Sequence, residues 1–282
     1  MGHKNKESLV LQIVAFLSSL RRFGQKRGAD KKSGRYRSGI YSYSTLQSYI
    51  KWCCKFAEYC KNKYKCKTIE QCRQYVDEWL TFLMTYCTPS TSKLAACALA
   101  KLYQCRSTVF VHTPDRRRAD IKRSRGPKVR DKHFSEANHQ DLVDFCRSTG
   151  LRRHELCYLR GTDLSFVGGR WCIHVRKGKG GKPREAQIIG DVQKIVDMML
   201  RAGEGKVFEK VPEIADIHGY RREYAQVFYN ILARPVDTLT RKQVYKCRGD
   251  KAGVIYDKWA MGRVSKSMGH ERVDVIARNY LD

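Results

Sequence analysis

The sequence has no stretch of roughly 18 uninterrupted apolar residues, the length that a membrane-spanning helix needs. Its opening Met-Gly-His-Lys-Asn-Lys-Glu leads into an amphipathic segment rather than a signal peptide with a cleavage site. Gly2 would suit myristoylation, but Lys6 stands where Ser or Thr is wanted. A cytoplasmic protein with no membrane partner is expected. Acidic residues are scarce: 28 Asp and Glu face 56 Lys and Arg in 282 residues, a formal net charge of +28. Self-repulsion on that scale calls for a polyanionic partner, nucleic acid ahead of an anionic membrane.

Several chemistries lack their signatures. No C-x-x-C appears, and the second half has no H-E-x-x-H or paired D-x-D, so no metal is expected. The Gly-rich stretch from Lys177 to Lys182 lacks the G-x-x-x-x-G-K-[ST] spacing of an ATP loop, so no nucleotide cofactor is expected either. No repeat of 20–50 residues is present, which excludes a solenoid. The twelve cysteines are expected as thiols, because a reducing compartment disfavours disulfides. Cys54, Cys60, Cys66 and Cys72 recur every six residues. That interval turns a helix by about 600°, so neighbours on one helix fall on different faces and are expected to pack as small apolar residues.

The length suits two domains, at roughly 100–200 residues each. In residues 1–113, Val10, Ile13, Val14, Leu17 and Leu20 recur at helical spacing before a polar break from Gly24 to Gly39. A second helix is predicted from near Ser44, carrying Leu46, Ile50, Cys53, Phe56 and Cys60. A third is predicted from the Thr68/Gln71 capping box through Trp79 and Leu83, and a fourth from Ser90 to about Cys105. Four helices make a small bundle. Residues 114–133 read as a linker: from Arg116 to Lys132, nine of seventeen residues are Lys or Arg. Its Arg116, Arg117, Arg118, Lys122, Arg123, Arg125, Lys128 and Arg130 are candidate phosphate contacts on a strap between two basic domains. In residues 134–282, Asp141 to Ser148 and Leu151 to Leu159 read as helices broken at Thr149-Gly150. Trp171 to Val175 and Ala186 to Ile189 read as a hairpin, and helices are expected to dominate from there on.

Basic residues sit in distinctive settings in this second half. Arg152 follows a Thr-Gly break, Lys179 lies at the hairpin tip, His218 and Arg221 are one helical turn apart, His270 follows Gly269, and Tyr280 stands near the end. In this order they resemble the tyrosine recombinase (phage integrase) family. Thr149-Gly150-Leu151-Arg152-Arg153-His154-Glu155-Leu156 is similar to the family's T-G-L-R-x-x-E-L, and Gly178-Lys179-Gly180-Gly181-Lys182-Pro183-Arg184 to its G-K-G-x-K-x-R hairpin. His218-Gly219-Tyr220-Arg221 is similar to H-x-x-R, and Gly269-His270 to its G-H motif. Tyr280 comes ten residues after His270 where the family usually has nine; Asn279 at the ninth place cannot be a nucleophile.

The resemblance implies a mostly α fold with a small β component: a helical N-terminal core-binding bundle and a mixed α/β catalytic domain. It implies Arg152, Lys179, His218, Arg221, His270 and Tyr280 as catalytic residues, Tyr280 as the nucleophile, Glu155 as a supporting acid and Lys182 as a DNA contact. It also implies double-stranded DNA as substrate, a homotetramer on two DNA sites, accessory DNA-bending proteins and a nucleoid-associated location in a prokaryote. The side chains suit that chemistry. Two guanidiniums give permanently charged forks for a phosphodiester's non-bridging oxygens, and a phenolate can hold the strand as a phosphotyrosine. A lysine on a hairpin can protonate the leaving 5′-oxygen, His218 can take the tyrosine proton, and His270 can donate to the phosphate. The long gap between Arg221 and His270 implies an insertion from about Ala233 to Asp257. Two alternatives remain open on the sequence: a type IB topoisomerase-like or resolvase-like enzyme that nicks and reseals, and a non-catalytic nucleic-acid-binding protein that retains the fold.

The charge excess generates a test of binding. Duplex affinity should fall steeply with salt, each neutralised phosphate releasing about 0.9 counterion. Neutralising Arg116, Arg117 and Arg118 should lower the slope of log K against log salt. An unchanged slope in a titration series removes these three residues from the DNA footprint.

Overall fold

A computed structural model describes residues 8–25, 30, 32, 34, 39–117, 134–178 and 182–281. The chain divides into two compact units, Met1–Ile121 and Lys122–Asp282.

The first unit is helical. Ser8 caps α1 (Leu9–Ser19) by accepting from the Leu11 N–H, and Leu9, Ile13 and Leu17, four apart, form its buried face. Helix α2 (Tyr43–Tyr64) begins at the Ser42 cap, buries Leu46, Cys53, Phe56 and Cys60, and ends at Lys65 in the left-handed conformation. Thr68 and Gln71 form the expected capping box. The single third helix read from the sequence is instead two, α3 (Ile69–Cys72) and α4 (Val76–Met84), joined by a 3-10 turn at Arg73–Tyr75. In α5 (Pro89–Leu102), Pro89 follows the Thr88 cap, where its missing N–H costs nothing. Buried Ala95, Ala96 and Ala98 line this helix, and Trp79 packs its ring 5.3 Å from that of Phe56. The polar break is not wholly outside the core: Asp30 is buried, pairing with Arg22 at 3.1 Å and accepting from the Tyr41 hydroxyl at 2.6 Å.

All twelve cysteines are free thiols. Cys60, Cys66 and Cys72 share the bundle core with Cys54 packed against it. They meet because α2, the following loop and α3 each bring one, a convergence that spacing along a single helix does not reveal. Burial raises the Cys53 thiol, and the Cys60 thiol together with burial raises that of Cys72, so both stay protonated packing groups. Among the described residues no group of three His, Cys, Asp or Glu side chains is arranged to hold a metal, and no helix is long and apolar enough to cross a membrane.

The second unit mixes helices with two small sheets. Helix α6 (Gln140–Thr149) ends at Gly150, which takes φ +59°, and α7 (Arg153–Cys157) follows. Strands β1 (Leu164–Val167), β2 (Arg170–Val175) and β3 (Arg184–Gln187) form an antiparallel sheet in that order, with Ile173 opposite both Leu164 and Ala186. The expected hairpin is present two residues earlier on its second strand, and β1 is an addition to it. Gly168 and Gly169, at φ +58° and +74°, make the tight turn from β1 to β2 with a twist that suits the strands. Helices α8 (Val192–Ala202) and α9 (Ile217–Leu232) come next.

The segment read as an insertion folds into a second sheet of β4 (Val244–Lys246) and β5 (Ile255–Asp257), so helices do not dominate there. Asp257 closes it, fully buried, accepting from Arg234 at 2.8 and 2.9 Å and capping α10 (Lys258–Ser267) through the Trp259 N–H. The Arg234 guanidinium outweighs burial and holds the Asp257 carboxyl down at about 2. The last helix is α11 (Asp274–Asn279).

Two cores fill this unit. One lies among α6, α7, the three-stranded sheet and α8; the other lies among α9, α10, α11 and the second sheet. Helix α9 serves both, with Tyr220 in the first and Tyr224 in the second. Gly150 sits at this seam, where an added Cβ would lie 2.3 Å from the buried Tyr224 ring. Gly150→Ala should therefore destabilise by about 2–4 kcal/mol, the left-handed backbone and the overpacking adding together. A lowered urea midpoint at unchanged m-value checks this.

Candidate active site

The site is assembled at the seam between the two cores, on the α9 residue between Tyr220 and Tyr224. Arg221 is fully buried, yet among the described residues no carboxylate touches it. Its Nη1 donates to the Gly150 carbonyl, its Nη2 to the Met268 carbonyl at 2.5 Å, and its Nε lies 3.4 Å from the Tyr280 hydroxyl. Burial pushes its pKa down, to about 10, which leaves it a cation at neutral pH. A guanidinium carries five N–H donors and two carbonyls satisfy only two of them.

Arg152 stands at the start of α7. Its Nη2 reaches the same Met268 carbonyl at 3.1 Å, so one backbone oxygen ties the two arginines together. Its Nη1 donates to Glu155 Oε1 at 2.9 Å and its backbone N–H to Glu155 Oε2 at 2.8 Å. Arg184 on β3 takes the other side of this carboxylate, with two bonds of 2.7 Å, and its Nε donates to the Ser267 carbonyl at 2.9 Å. Burial would raise the Glu155 carboxyl, but the hydrogen bonds and charges of Arg184 and Arg152 outweigh it and hold the group at about 2.

The turn after α10 delivers His270. Gly269, at φ +68°, passes so close to Arg184 that an added Cβ would lie 2.7 Å from its side chain; the glycine before the histidine is thereby explained. Ser265 secures the turn, donating to the His270 carbonyl at 3.1 Å. His270 Nε2 lies 3.4 Å from Arg221 Nη2 and 3.3 Å from the Tyr280 hydroxyl. Tyr280 is set by α11, whose Ile276 and Ala277 are buried, and by Leu281, also buried. Among the described residues, the hydrogen-bonding neighbours of its hydroxyl are Arg221 and His270.

The structure thus brings together Arg152, Glu155, Arg221, His270 and Tyr280. His218 is exposed on the first turn of α9, and the imidazole of His270 lies beside the phenol. Lys182 is exposed and ion-paired to Glu271, which follows His270. Arg116 and Arg117 are exposed in the first unit. Lys179 and the linker residues Arg118, Lys122, Arg123, Arg125, Lys128 and Arg130 lie outside the described residues. A cleft of about 1090 Å³ opens beside the cluster, lined by Lys182, Arg184, Arg263, Lys266, His270 and Arg272 among others. Sequence reasoning missed Arg184, although it stands in the hairpin motif, and it missed the Met268 carbonyl.

No protein-family model matches the sequence, and no curated protein matches it. Solved structures resemble the chain, two of them over nearly its whole length. One is the XerH site-specific recombinase bound to a palindromic difH substrate in a post-cleavage complex, at 15% identity and a TM-score of 0.55, covering 99% of this chain and 94% of that one. The other is XerH bound to difH in a pre-cleavage complex, at 14% identity and a TM-score of 0.51, covering 96% and 92%. The chain therefore has the tyrosine-recombinase fold.

Glu155 generates a pH prediction. Its folded pKa of about 2 lies below the ordinary 4.5, so in the acid range the unfolded chain binds the extra proton. Its contribution to stability is complete above about pH 5 and is lost as pH falls towards 2. Glu155→Gln should be less stable than the unaltered protein at pH 7, and the difference should shrink through that window. Denaturant melts across pH check it; a constant difference refutes the assignment.

Proposed function

We propose that the chain is a site-specific tyrosine recombinase that cleaves and rejoins duplex DNA through a 3′-phosphotyrosyl intermediate on Tyr280. The observation that carries this reading is the position of the Tyr280 hydroxyl, 3.4 Å from Arg221 Nε and 3.3 Å from His270 Nε2 within one chain. A phenol beside a permanently charged fork and an imidazole is set to attack an anion that the fork binds.

In the proposed reaction the unsatisfied N–H groups of Arg152 and Arg221 hold the two non-bridging oxygens and stabilise the charge that grows on them. The Tyr280 oxygen attacks phosphorus and its proton passes to His270, the imidazole in reach. The bond to the 5′-oxygen breaks, and Lys179 protonates that oxygen as it leaves. In rejoining, a 5′-hydroxyl attacks the phosphotyrosine and the proton transfers reverse, so the bond energy is conserved without ATP. His218, one turn before Arg221, acts at the edge of the same phosphate, and Lys182 contacts the DNA backbone. The helical bundle of residues 1–113 and the basic linker 114–133 supply further duplex contacts. The working form is a homotetramer on two DNA sites, assisted by DNA-bending proteins, that integrates or excises a mobile element.

The test is a nicked suicide duplex, from which the cleaved fragment diffuses away. The unaltered protein should accumulate a denaturant-resistant adduct, and Tyr280→Phe should bind the duplex equally well and form none. Mixing Tyr280→Phe with Arg221→Ala should not restore the adduct, because nucleophile and fork belong to one chain. Adduct formation by Tyr280→Phe alone overturns the nucleophile assignment.

A further inference from the structure

Glu155 is a carboxylate with no capacity left. Its side chain is 2% exposed and accepts four hydrogen bonds: from the Arg152 backbone, from Arg152 Nη1, and from both Nη atoms of Arg184. Four is about the number of lone-pair sites that a carboxylate offers. The two arginines do not share it equally. Arg184, 7% exposed, places both Nη atoms on Glu155 and its Nε on the Ser267 carbonyl, so each nitrogen of its fork is engaged inside the protein. Arg152 gives the carboxylate one side-chain N–H and the Met268 carbonyl another.

This asymmetry has an electrostatic meaning. Two guanidiniums and one carboxylate carry a net charge of +1, and because Arg184 covers Glu155, that charge resides on Arg152, beside Arg221. Without Arg184 the carboxylate would face Arg152 alone, cancel its charge and draw its fork into a bidentate pair. The same residue also touches the His270 turn, through the Ser267 carbonyl and the close approach to Gly269.

We propose that Arg184 is a positioning residue of the oxyanion site: by saturating Glu155 it keeps Arg152 charged and its remaining N–H groups open to a phosphate, and by holding the Ser267 carbonyl it fixes the turn that presents His270. The inference rests on the recombinase reading for its substrate, though not for its geometry.

Three variants test it: Arg184→Met, which keeps length without charge, Glu155→Gln, and the two combined. At saturating suicide duplex, Arg184→Met should form the adduct more slowly, by up to about 10²-fold, as misplaced groups near a reacting centre do. Its duplex Kd should change little. The double variant should recover much of that rate, because the carboxylate that captures Arg152 is gone. Tungstate binding, measured by calorimetry, should follow the same order. If Arg184 were only a structural staple, the double variant would be no better than Arg184→Met, and that result overturns the proposal, as does an unaltered rate in Arg184→Met. Should Arg184→Met fail to fold, Arg184→Lys replaces it. That variant should bind tungstate as the unaltered protein does yet cleave several-fold more slowly; unaltered cleavage, or lost tungstate binding, overturns the proposal. Absence of any adduct from the unaltered protein would refute the recombinase reading, and the tungstate ranking would then decide the role of Arg184 by itself.

Discussion

The site depends on a buried cation that has no buried anion of its own among the described residues. Arg221 is fully enclosed, and taking a guanidinium out of water is costly unless its donors are met. The protein meets two of them with the carbonyls of Gly150 and Met268. Carbonyl dipoles satisfy hydrogen bonds without cancelling charge, so the seam keeps a positive centre that a carboxylate partner would have neutralised. A carboxylate nearby, Glu155, is saturated by Arg152 and Arg184.

Much of the local structure follows from supplying those two oxygens. Gly150 must turn its carbonyl back towards α9 at the end of α6, and its left-handed backbone beside the Tyr224 ring allows no side chain. The Met268 carbonyl must point inwards at the end of α10. There the last turn is held from below, with Ser267 Oγ accepting from the Gln187 N–H at 2.9 Å and lying 2.7 Å from the Tyr224 hydroxyl. Tyr224 is itself fully buried and donates to the Gln187 carbonyl at 2.8 Å. Sheet, α9 and α10 are thus joined by polar contacts at the place where the two apolar cores meet.

What could be read from the sequence divides along physical lines. Among the helix starts, the one at Thr68 was legible from its capping box, because capping is local chemistry written in one or two residues; the starts read near Ser44 and at Ser90 fall one residue after Tyr43 and Pro89, and the caps Ser8, Ser42 and Thr88 emerged only from the structure. The break at Thr149-Gly150 was legible from its glycine, and the strand over Trp171 to Val175 from its alternation. The interruption at Arg73–Tyr75 was not, since the apolar spacing runs on through it. Nor were β4 and β5, whose three residues each are too short for alternation to register. Strand β1 had a signal in Gly168-Gly169, which a reading centred on the next hairpin passed over. In the site, residue types and order pointed to Arg152, Arg221, His270 and Tyr280. The Met268 oxygen that unites the arginines is a backbone atom, and no side-chain identity announces it. The proximity of His270 to the phenol also needed three dimensions.

The second sheet has a bearing on the tyrosine. Lys251, in the connection between β4 and β5, donates to the Leu281 carbonyl and lies 3.2 Å from the Tyr256 hydroxyl on β5. The six-residue α11 is thus gripped from both sides, by the apolar core beneath Ile276 and Ala277 and by this lysine just past Tyr280. The hairpin is therefore a brace on the mounting of Tyr280. Changes in its length or stiffness would travel to the phenol mechanically, altering where the oxygen rests without touching Arg152, Arg221 or His270.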